Sequence, residues 1–385
     1  MTLFRALRSI HQIPIYSMIK FPLMKMLYLF LALLTFHTSF AQSSRKTENI
    51  VIITIDGARW KEIFQGGDSL LLYNTKFMKK YAGTLQAKYG AALASERRQK
   101  LMPFFWSTLE KNGQLYGNRS YSNNVSVKNP YNISYPGYSE IYTGYPDPEI
   151  KTNDLLENPN PNLFEFLSKQ PAFKNKVAAF ASWDRGPYIM NEKRSGFPVN
   201  GGYEAVTGDK LSEFQQSLNT MQSQMPIMVS ESSRPDIFTY SHAKEYMRLN
   251  HPRAISIGLA YTDDMAHDGN YGFYLEEIHA FDTMIGDLWN FIQADNTYKN
   301  KTTMLITVDH GRGYGDEWTS HGPAVAHSNE IWFAVIGPDT KATGEMKTPA
   351  DHYQYQFAQT MASFLGTKFV SSKPIGPAIE FVVDK

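Results

Sequence analysis

Carboxylate and imidazole side chains follow several short apolar segments of this sequence, and both are strong ligands for a divalent metal ion. They are, in chain order, Asp56, Asp263, His267, Asp309, His310 and His321. A single acidic residue after an apolar segment is most often a turn residue. Its repetition after separate segments indicates instead a site assembled from distant parts of the chain. Two divalent ions about 3.5–4 Å apart can hold the attacking and leaving oxygens of a displacement at phosphorus.

A hydroxyl group in another segment supplies a candidate nucleophile. Ser134 is followed closely by Pro136 and Gly137, which favour a tight turn. The next residues predict a short helix, whose N-terminal amides favour an anion. Because a hydroxyl beside a metal ion loses its proton more easily, we expect Ser134 to act as the nucleophile.

The apolar segments themselves are rich in β-branched residues and end in polar ones, which is typical of buried parallel strands. They span residues 49–55, 176–182, 255–261, 303–308 and 331–336. Helical periodicity extends over residues 273–292, between two of these segments, and over residues 357–365, after the last one. Gly366 ends the second helix. Alternating strands and helices predict a three-layer αβα sandwich with a mainly parallel central sheet. Ligands of such folds bind beyond the carboxyl ends of the strands, where the candidate metal ligands lie.

The composition excludes several classes of function. The chain has 385 residues, which is room for one large domain or two average ones. Its 38 Lys and Arg residues nearly balance 37 Asp and Glu residues, so we expect no nucleic acid as a structural partner. With no cysteine, disulfide scaffolds, iron–sulfur clusters and thiol catalysis are excluded.

The N-terminus has the features of an export signal. Lys20 and Lys25 precede the apolar stretch 26–36, and Ser39-Phe40-Ala41 matches the small-x-Ala pattern of a cleavage site. The stretch is short for a bilayer span, although an N-terminal membrane anchor is the alternative. We therefore expect a signal peptide over 1–41 and a mature chain, 42–385, that is periplasmic or secreted and has no stable membrane insertion.

The order of the motifs resembles the alkaline phosphatase superfamily, whose members hydrolyse phosphate esters with two metal ions. The resemblance runs from residue 51 to residue 366. Its motifs are Asp56-Gly57-Ala-Arg, Ser134-Tyr-Pro-Gly-Tyr138-Ser-Glu-Ile-Tyr-Thr-Gly, Asp263-x-x-x-His267, Asp309-His310-Gly311 and His321-Gly322.

The resemblance implies a ligand set for two divalent ions, which we expect to be Zn²⁺. One ion binds Asp263, His267 and His321. The other binds Asp56, Asp309 and His310, with Ser134 bridging the two ions. His327 is the alternative to His321 as the last ligand, because it too lies close to the last apolar segment.

Two further residues carry over from the phosphodiesterase and phosphatase branches of the family. Asn153 lies near the position of an asparagine that contacts a phosphate oxygen, and Arg185 matches an arginine that holds the non-bridging oxygens. Trp183 replaces the lysine that accompanies this arginine, and Tyr138 replaces a histidine of the nucleophile motif. Because a monoester dianion needs more positive charge than a diester monoanion, the preference between the two esters stays open. Sulfatases have an arginine where Tyr138 stands, so formylglycine formation is not expected.

The function predicted from the sequence is hydrolysis of a small-molecule phosphate ester. Ser134 attacks phosphorus in line and forms a phosphoseryl intermediate that water cleaves, while Arg185 stabilises the negative charge. Residues 66–130 form an insertion, and residues 186–252 form a small cap that selects the substrate. The alternatives are a phosphotransferase or mutase, a phosphonate hydrolase on the same fold, and a non-catalytic glycan-binding protein.

Overall fold

A computed structural model of the chain describes residues 45–383. The predicted signal peptide, 1–41, lies outside the described residues. The strands are β1 Asn49–Ile55, β2 Gly113–Tyr116, β3 Asn123–Ser126, β4 Val177–Ala181, β5 Val199–Gly201, β6 Ala254–Leu259, β7 Thr302–Thr307, β8 Glu330–Ile331, β9 Phe333–Ile336, β10 Gly344–Glu345 and β11 Ala350–Tyr353.

Eight of these strands form the central sheet, in the order β10-β2-β9-β7-β1-β6-β4-β5. The five strands β7, β1, β6, β4 and β5 run parallel to one another, and every residue of β1 is buried. Strands β11, β3 and β8 form a second, smaller sheet. Burial of β1 on both faces explains why its sequence is a continuous apolar run rather than an alternating one.

The segment 331–336, which the sequence predicts as one buried parallel strand, differs from the prediction. It is divided between β8 in the small sheet and β9 in the central sheet, and β9 is antiparallel to both β7 and β2. Trp332 lies between the two strands, fully buried, and its indole donates a hydrogen bond to the carbonyl oxygen of Ala58 at 2.9 Å. A central strand is buried in either direction, so its apolar composition does not reveal the direction.

Helices flank the central sheet, which confirms the predicted α/β sandwich with a mainly parallel sheet. The α-helices are α1 Trp60–Gln65, α2 Ser69–Leu72, α3 Ala82–Tyr89, α4 Ala94–Leu101, α5 Glu110–Asn112, α6 Ser134–Thr143, α7 Leu163–Ser168, α8 Gly186–Ile189, α9 Glu192–Ser195, α10 Glu213–Gln224, α11 Asp236–Asn250, α12 Tyr261–His267, α13 Tyr271–Ala294 and α14 Phe357–Phe364. Phe105–Leu109 forms a π-helix, and 3₁₀ turns include Gly315–Thr319.

The longest helix, α13, contains the predicted helix 273–292. Its apolar stripe, including Leu275, Ile278 and Ile285, is buried, and the side chain of Asn270 caps its first turn by accepting a hydrogen bond from the amide of Phe273 at 3.3 Å. None of the helices within residues 45–383 combines the length and apolar character that a bilayer crossing requires.

The two segments predicted as insertion and cap both contribute to the central sheet. Residues 66–130 include β2, and residues 186–252 include β5 and α11. Helix α11 packs against β4 and β6 through Ala243 and Met247, which are fully buried. The boundaries of a cap that selects the substrate stay a prediction.

Candidate metal centre

Three neighbouring parallel strands bring the predicted metal ligands to one edge of the central sheet. Asp56 directly follows β1, Asp309 lies two residues after β7, and Asp263 lies in α12, which follows β6. Because β7, β1 and β6 are adjacent and parallel, their carboxyl ends meet at the same edge. The backbone amide of Asp56 donates to the carbonyl oxygen of Leu259 at 2.9 Å and fixes this end of β1 against β6.

Asp56, Asp309 and His310 form what we term the inner group, and all three are buried. Their potential ligand atoms lie within 4.8 Å of one another. His310 Nε2 lies 3.3 Å from Asp56 Oδ1 and 3.4 Å from Asp309 Oδ2. The other ring nitrogen, Nδ1, lies 2.9 Å from the carbonyl oxygen of Gly311. A carbonyl can only accept a hydrogen bond, so Nδ1 carries the proton and the Nε2 lone pair faces the carboxylates.

The inner group has the properties of a cation site. Asp56 Oδ1 and Asp309 Oδ2 are buried without a hydrogen-bond partner, whereas the second oxygens accept from Tyr138 Oη at 3.2 Å and from the amide of Gly57 at 3.1 Å. Burial raises the pKa of Asp56 well above its ordinary value, and the charge of Asp263 adds to this rise. Burial and the charge of Asp56 raise the pKa of Asp309 likewise. Two buried carboxylates, each with one oxygen that lacks a donor, fit a divalent cation, which would offset their charge.

The hydroxyl of Ser134 lies beside the inner group. Ser134 is the first residue of α6, and its Oγ lies 3.2 Å from His310 Nε2. Gly137, in the following turn, permits this close approach: a Cβ atom there would lie 2.4 Å from the carbonyl oxygen of Asp309. The turn that the sequence predicts around Pro136 and Gly137 is therefore the first turn of α6, packed directly on the loop that carries the metal ligands.

Asp263, His267 and His321 form what we term the outer group. Asp263 and His267 lie four residues apart in α12 and thus on one face of the helix. His267 Nε2 lies 3.1 Å from Asp263 Oδ2 and 3.1 Å from His321 Nε2. His321 Nδ1 lies 3.1 Å from the carbonyl oxygen of Asn132, so its proton is on Nδ1 and its Nε2 lone pair faces the group.

The two groups meet at a pair of stacked imidazoles. The rings of His310 and His321 lie 3.7 Å apart at an interplanar angle of 12°. Burial lowers the pKa of His321 to about 2, and the adjacent His310 contributes to this, so His321 is neutral and its lone pair is available to a metal ion. Ligand atoms of Asp263, His310 and His321 also lie within 4.8 Å of one another.

His327, the alternative to His321, lies in a different environment. Its Nδ1 lies 2.9 Å from Glu330 Oε1, and its ring stacks on that of Tyr314 at 3.9 Å. The structure therefore brings His321 to the cluster and engages His327 with Glu330.

Comparison with known proteins supports the same interpretation. Residues 233–368 match the family model of the Metalloenzyme superfamily. The structure of the alkaline phosphatase PafA shares the fold with a TM-score of 0.59 and 12% identity over 89% of this chain and 100% of that chain. The chain therefore has the fold of the alkaline phosphatases, and part of its sequence matches the Metalloenzyme superfamily.

Two other solved proteins, which differ in function, share this fold. The lipoteichoic acid synthase LtaP from Listeria monocytogenes has a TM-score of 0.51 and 16% identity, over 89% of this chain and 76% of that chain. A putative sulfatase from Bacteroides thetaiotaomicron has a TM-score of 0.53 and 13% identity, over 86% of this chain and 74% of that chain. The comparison with curated protein sequences gives no match. The match of residues 233–368 indicates a metalloenzyme, and the shared fold leaves the reaction and the substrate open.

Arg312 lies beside the outer group, and the sequence analysis missed it. Its side chain is only 1% exposed, and its Nη1 donates a hydrogen bond to Asp263 Oδ1. Burial by itself would raise the pKa of Asp263, but the guanidinium and the nearby imidazoles outweigh it and hold that pKa well below its ordinary value. The position of Arg312, one residue after Asp-His-Gly, was the available signal, but arginine is usually exposed.

A chain of hydrogen bonds connects Asn153 and Arg185 to the residue that follows Ser134. Asn153 Oδ1 accepts from the amide of Tyr135, the residue after Ser134, at 2.9 Å. Arg185 Nε donates to the carbonyl oxygen of Asn153 at 3.1 Å, and Arg185 Nη1 donates to Asp184 Oδ1. These contacts place both residues beside the start of α6 rather than within either metal-ligating group.

Proposed function

We propose that the protein hydrolyses phosphate esters, with two divalent cations held by the inner and outer groups. The observation that carries this proposal is the position of the Ser134 hydroxyl, 3.2 Å from His310 Nε2 and beside two carboxylate oxygens without donors. The donor set of carboxylates and imidazoles favours Zn²⁺ as the resident ion.

Each part of the proposed reaction can be attributed to residues of the chain. Cations bound at these groups would lower the pKa of the Ser134 hydroxyl and offset negative charge on the phosphoryl oxygens. Ser134 Oγ forms a bond to phosphorus as the bond to the leaving oxygen breaks, and water then cleaves the phosphoserine. The guanidinium of Arg185, which contacts Asn153 beside the start of α6, would hold the non-bridging oxygens.

The charge around this position favours a diester. Trp183 stands where the phosphatase branch has a lysine, and its ring lies 5.3 Å from the guanidinium of Arg185. The Asp184 carboxylate pairs with that guanidinium and offsets its charge. A diester monoanion is matched by fewer positive charges than a monoester dianion, so we propose small-molecule phosphodiesters as the preferred substrates. We propose a periplasmic or secreted location, which rests on the export signal alone.

The test compares wild type and Ser134→Ala on p-nitrophenyl phosphate, bis-p-nitrophenyl phosphate and p-nitrophenyl sulfate, each with added zinc. We expect wild type to hydrolyse the bis ester fastest and Ser134→Ala to lose about 10³-fold or more in turnover while binding zinc as wild type does. Ser139→Ala is the matched control, because Ser139 lies in the same helix and its hydroxyl accepts from Asn158 instead, at 3.0 Å. Turnover by Ser134→Ala at the level of Ser139→Ala would contradict the mechanism, and preferred cleavage of the sulfate would contradict the substrate class.

A further inference from the structure

The inner and outer groups differ in how their carboxylates are satisfied. In the inner group, one oxygen of Asp56 and one of Asp309 have no hydrogen-bond partner. In the outer group, both oxygens of Asp263 have protein donors nearby: Arg312 Nη1 donates to Oδ1, and His267 Nε2 lies 3.1 Å from Oδ2. The inner group therefore needs an added cation, whereas the outer group already has the guanidinium of Arg312 beside its carboxylate.

The guanidinium of Arg312 is held in this place independently of Asp263. Its Nε donates to the carbonyl oxygen of Trp318 at 2.8 Å, and its Nη2 donates to the carbonyl oxygen of Thr319 at 2.6 Å. Both carbonyls belong to the 3₁₀ turn Gly315–Thr319, and the side chain is almost fully buried. Arg312 thus stays beside Asp263 when that carboxylate turns to another ligand.

A glycine at the end of β1 leaves room for this ion pair. A Cβ atom at Gly57 would lie 2.6 Å from Asp263 Oδ1 and 2.8 Å from Arg312 Nη1, and the residue has a φ of +60°. Both the space and the backbone conformation therefore require glycine at this position. The Asp-Gly motif after β1 accordingly serves two purposes: its carboxylate belongs to the inner group, and its glycine accommodates Arg312 in the outer group.

The formal charges of the two groups differ as a consequence. The inner group has two carboxylates and one imidazole, which gives a charge of about −2 when both acids are ionised. The outer group has one carboxylate, and Arg312 offsets it, so its charge is about zero. A divalent cation is attracted to the first group and gains little from the second, beyond the lone pairs of its imidazoles.

We propose that Arg312 is a resident cation of the outer group, so that the protein binds one divalent ion tightly at the inner group and a second ion weakly at the outer group. The inference rests on the metal binding of the proposed function and goes beyond it, because it makes the two sites unequal. Partners of metal ligands typically change metal affinity by about 10- to 100-fold, and we expect a difference of that size between the two sites.

The experiment titrates the metal-free mature chain with Zn²⁺ alone by isothermal calorimetry and measures bound zinc by elemental analysis. We expect wild type to bind two ions in two steps, the second at least about tenfold weaker. Arg312→Gln removes the charge and should tighten the second step by about 10- to 100-fold, whereas Arg312→Lys keeps the charge and should leave it weak. Circular dichroism of each variant shows whether it is folded.

The outcomes separate this inference from the proposed function. Two equally tight zinc ions in wild type would overturn the inference alone, and this measurement does not depend on any variant folding. If Arg312→Gln and Arg312→Lys tighten the second zinc-binding step equally, the effect is not due to the charge of Arg312. Wild type that binds no zinc would overturn the inference and the proposed function together.

Discussion

Asp309→Asn is the substitution that best separates metal binding from folding. The asparagine side chain has the same shape as the native carboxylate, and its amide oxygen can still accept from the amide of Gly57, which lies 3.1 Å from Asp309 Oδ1. The change removes one buried negative charge next to Asp56. It also places an amide donor where Asp309 Oδ2 now lies, 3.4 Å from the His310 Nε2 lone pair. The metal-free protein should therefore become more stable, and the metal complex less stable.

The sizes of both effects follow from the contacts. A buried acceptor without a partner costs about 1–3 kcal/mol, so metal-free Asp309→Asn should gain roughly that much in free energy of unfolding. A pair of unit charges about 4 Å apart interacts by about 4 kcal/mol at an effective dielectric constant of about 20, and a divalent ion doubles this. If the amide oxygen recovers half of this interaction with the divalent ion, the variant loses about 4 kcal/mol of binding free energy, or about 10³-fold in zinc affinity.

The pKa of Asp309 fixes the direction of the pH dependence. Burial and the charge of Asp56 raise the pKa in the folded state, so the protonated acid stabilises the metal-free wild type at low pH. That stabilisation is lost as the pH rises through the raised pKa. The stability gained by Asp309→Asn without metal should therefore be larger at high pH than at low pH.

Thermal unfolding followed by circular dichroism, with EDTA and then with increasing zinc, measures all of these effects. Asp351→Asn is the control, since Asp351 is exposed in β11 and its carboxylate accepts from Asn124 at 2.9 Å. We expect the control to behave as wild type in both conditions. A metal-free Asp309→Asn variant that melts below wild type, together with an unchanged zinc-induced rise in Tm, would refute the assignment of Asp309 to a metal site.

Two further predictions concern α6 and the anion-binding side chain. Glu140, buried in α6, accepts from the amides of Lys128, Asn129 and Tyr355, and burial raises its pKa from 4.5 to about 7. Protonated Glu140 therefore stabilises the fold by on the order of 3 kcal/mol below the pKa of the unfolded state, and this stabilisation is lost as the pH rises to about 7. Glu140→Gln should lack this pH dependence. Urea unfolding of both proteins at about pH 5 and about pH 8 measures it. Arg185→Met should lower kcat/KM on the bis ester by about 10- to 100-fold, with an unchanged circular dichroism spectrum; unaltered kinetics would exclude a role for Arg185 in binding the anion.

The strands that position the site were predictable because each is buried on both faces. Strands β1, β4, β6 and β7 are apolar runs with little polar interruption, so their own residues identify them. Strands β2, β3 and β5 were missed: they have three or four residues each and include glycine or asparagine, so only pairing with neighbours makes them strands. The direction of β9 could not be predicted either, because a central strand is buried in the same way in both directions.

That the candidate metal ligands lie close together was predictable for a related reason. Residues that directly follow buried parallel strands must lie at one edge of the sheet, so Asp56 and Asp309 are brought together by topology. Arg312 is different, because nothing in its local sequence indicates burial. Its role comes from two carbonyl oxygens in the turn Gly315–Thr319 and from Asp263, which lies 49 positions earlier in the chain. The contacts of such a residue can be recognised only in the folded structure.

The departures from the family pattern act in one direction. Trp183 removes a positive charge that the phosphatase branch has near the substrate, and Asp184 offsets much of the charge of Arg185. Tyr138, in place of a histidine, donates to Asp56 at 3.2 Å and adds no charge. Arg312 adds a positive charge as well, but Asp263 offsets it, so this pair leaves the net charge of the site unchanged. A site with less net positive charge discriminates against a dianion, so we expect Trp183 and Asp184 to favour a singly charged ester, as proposed above.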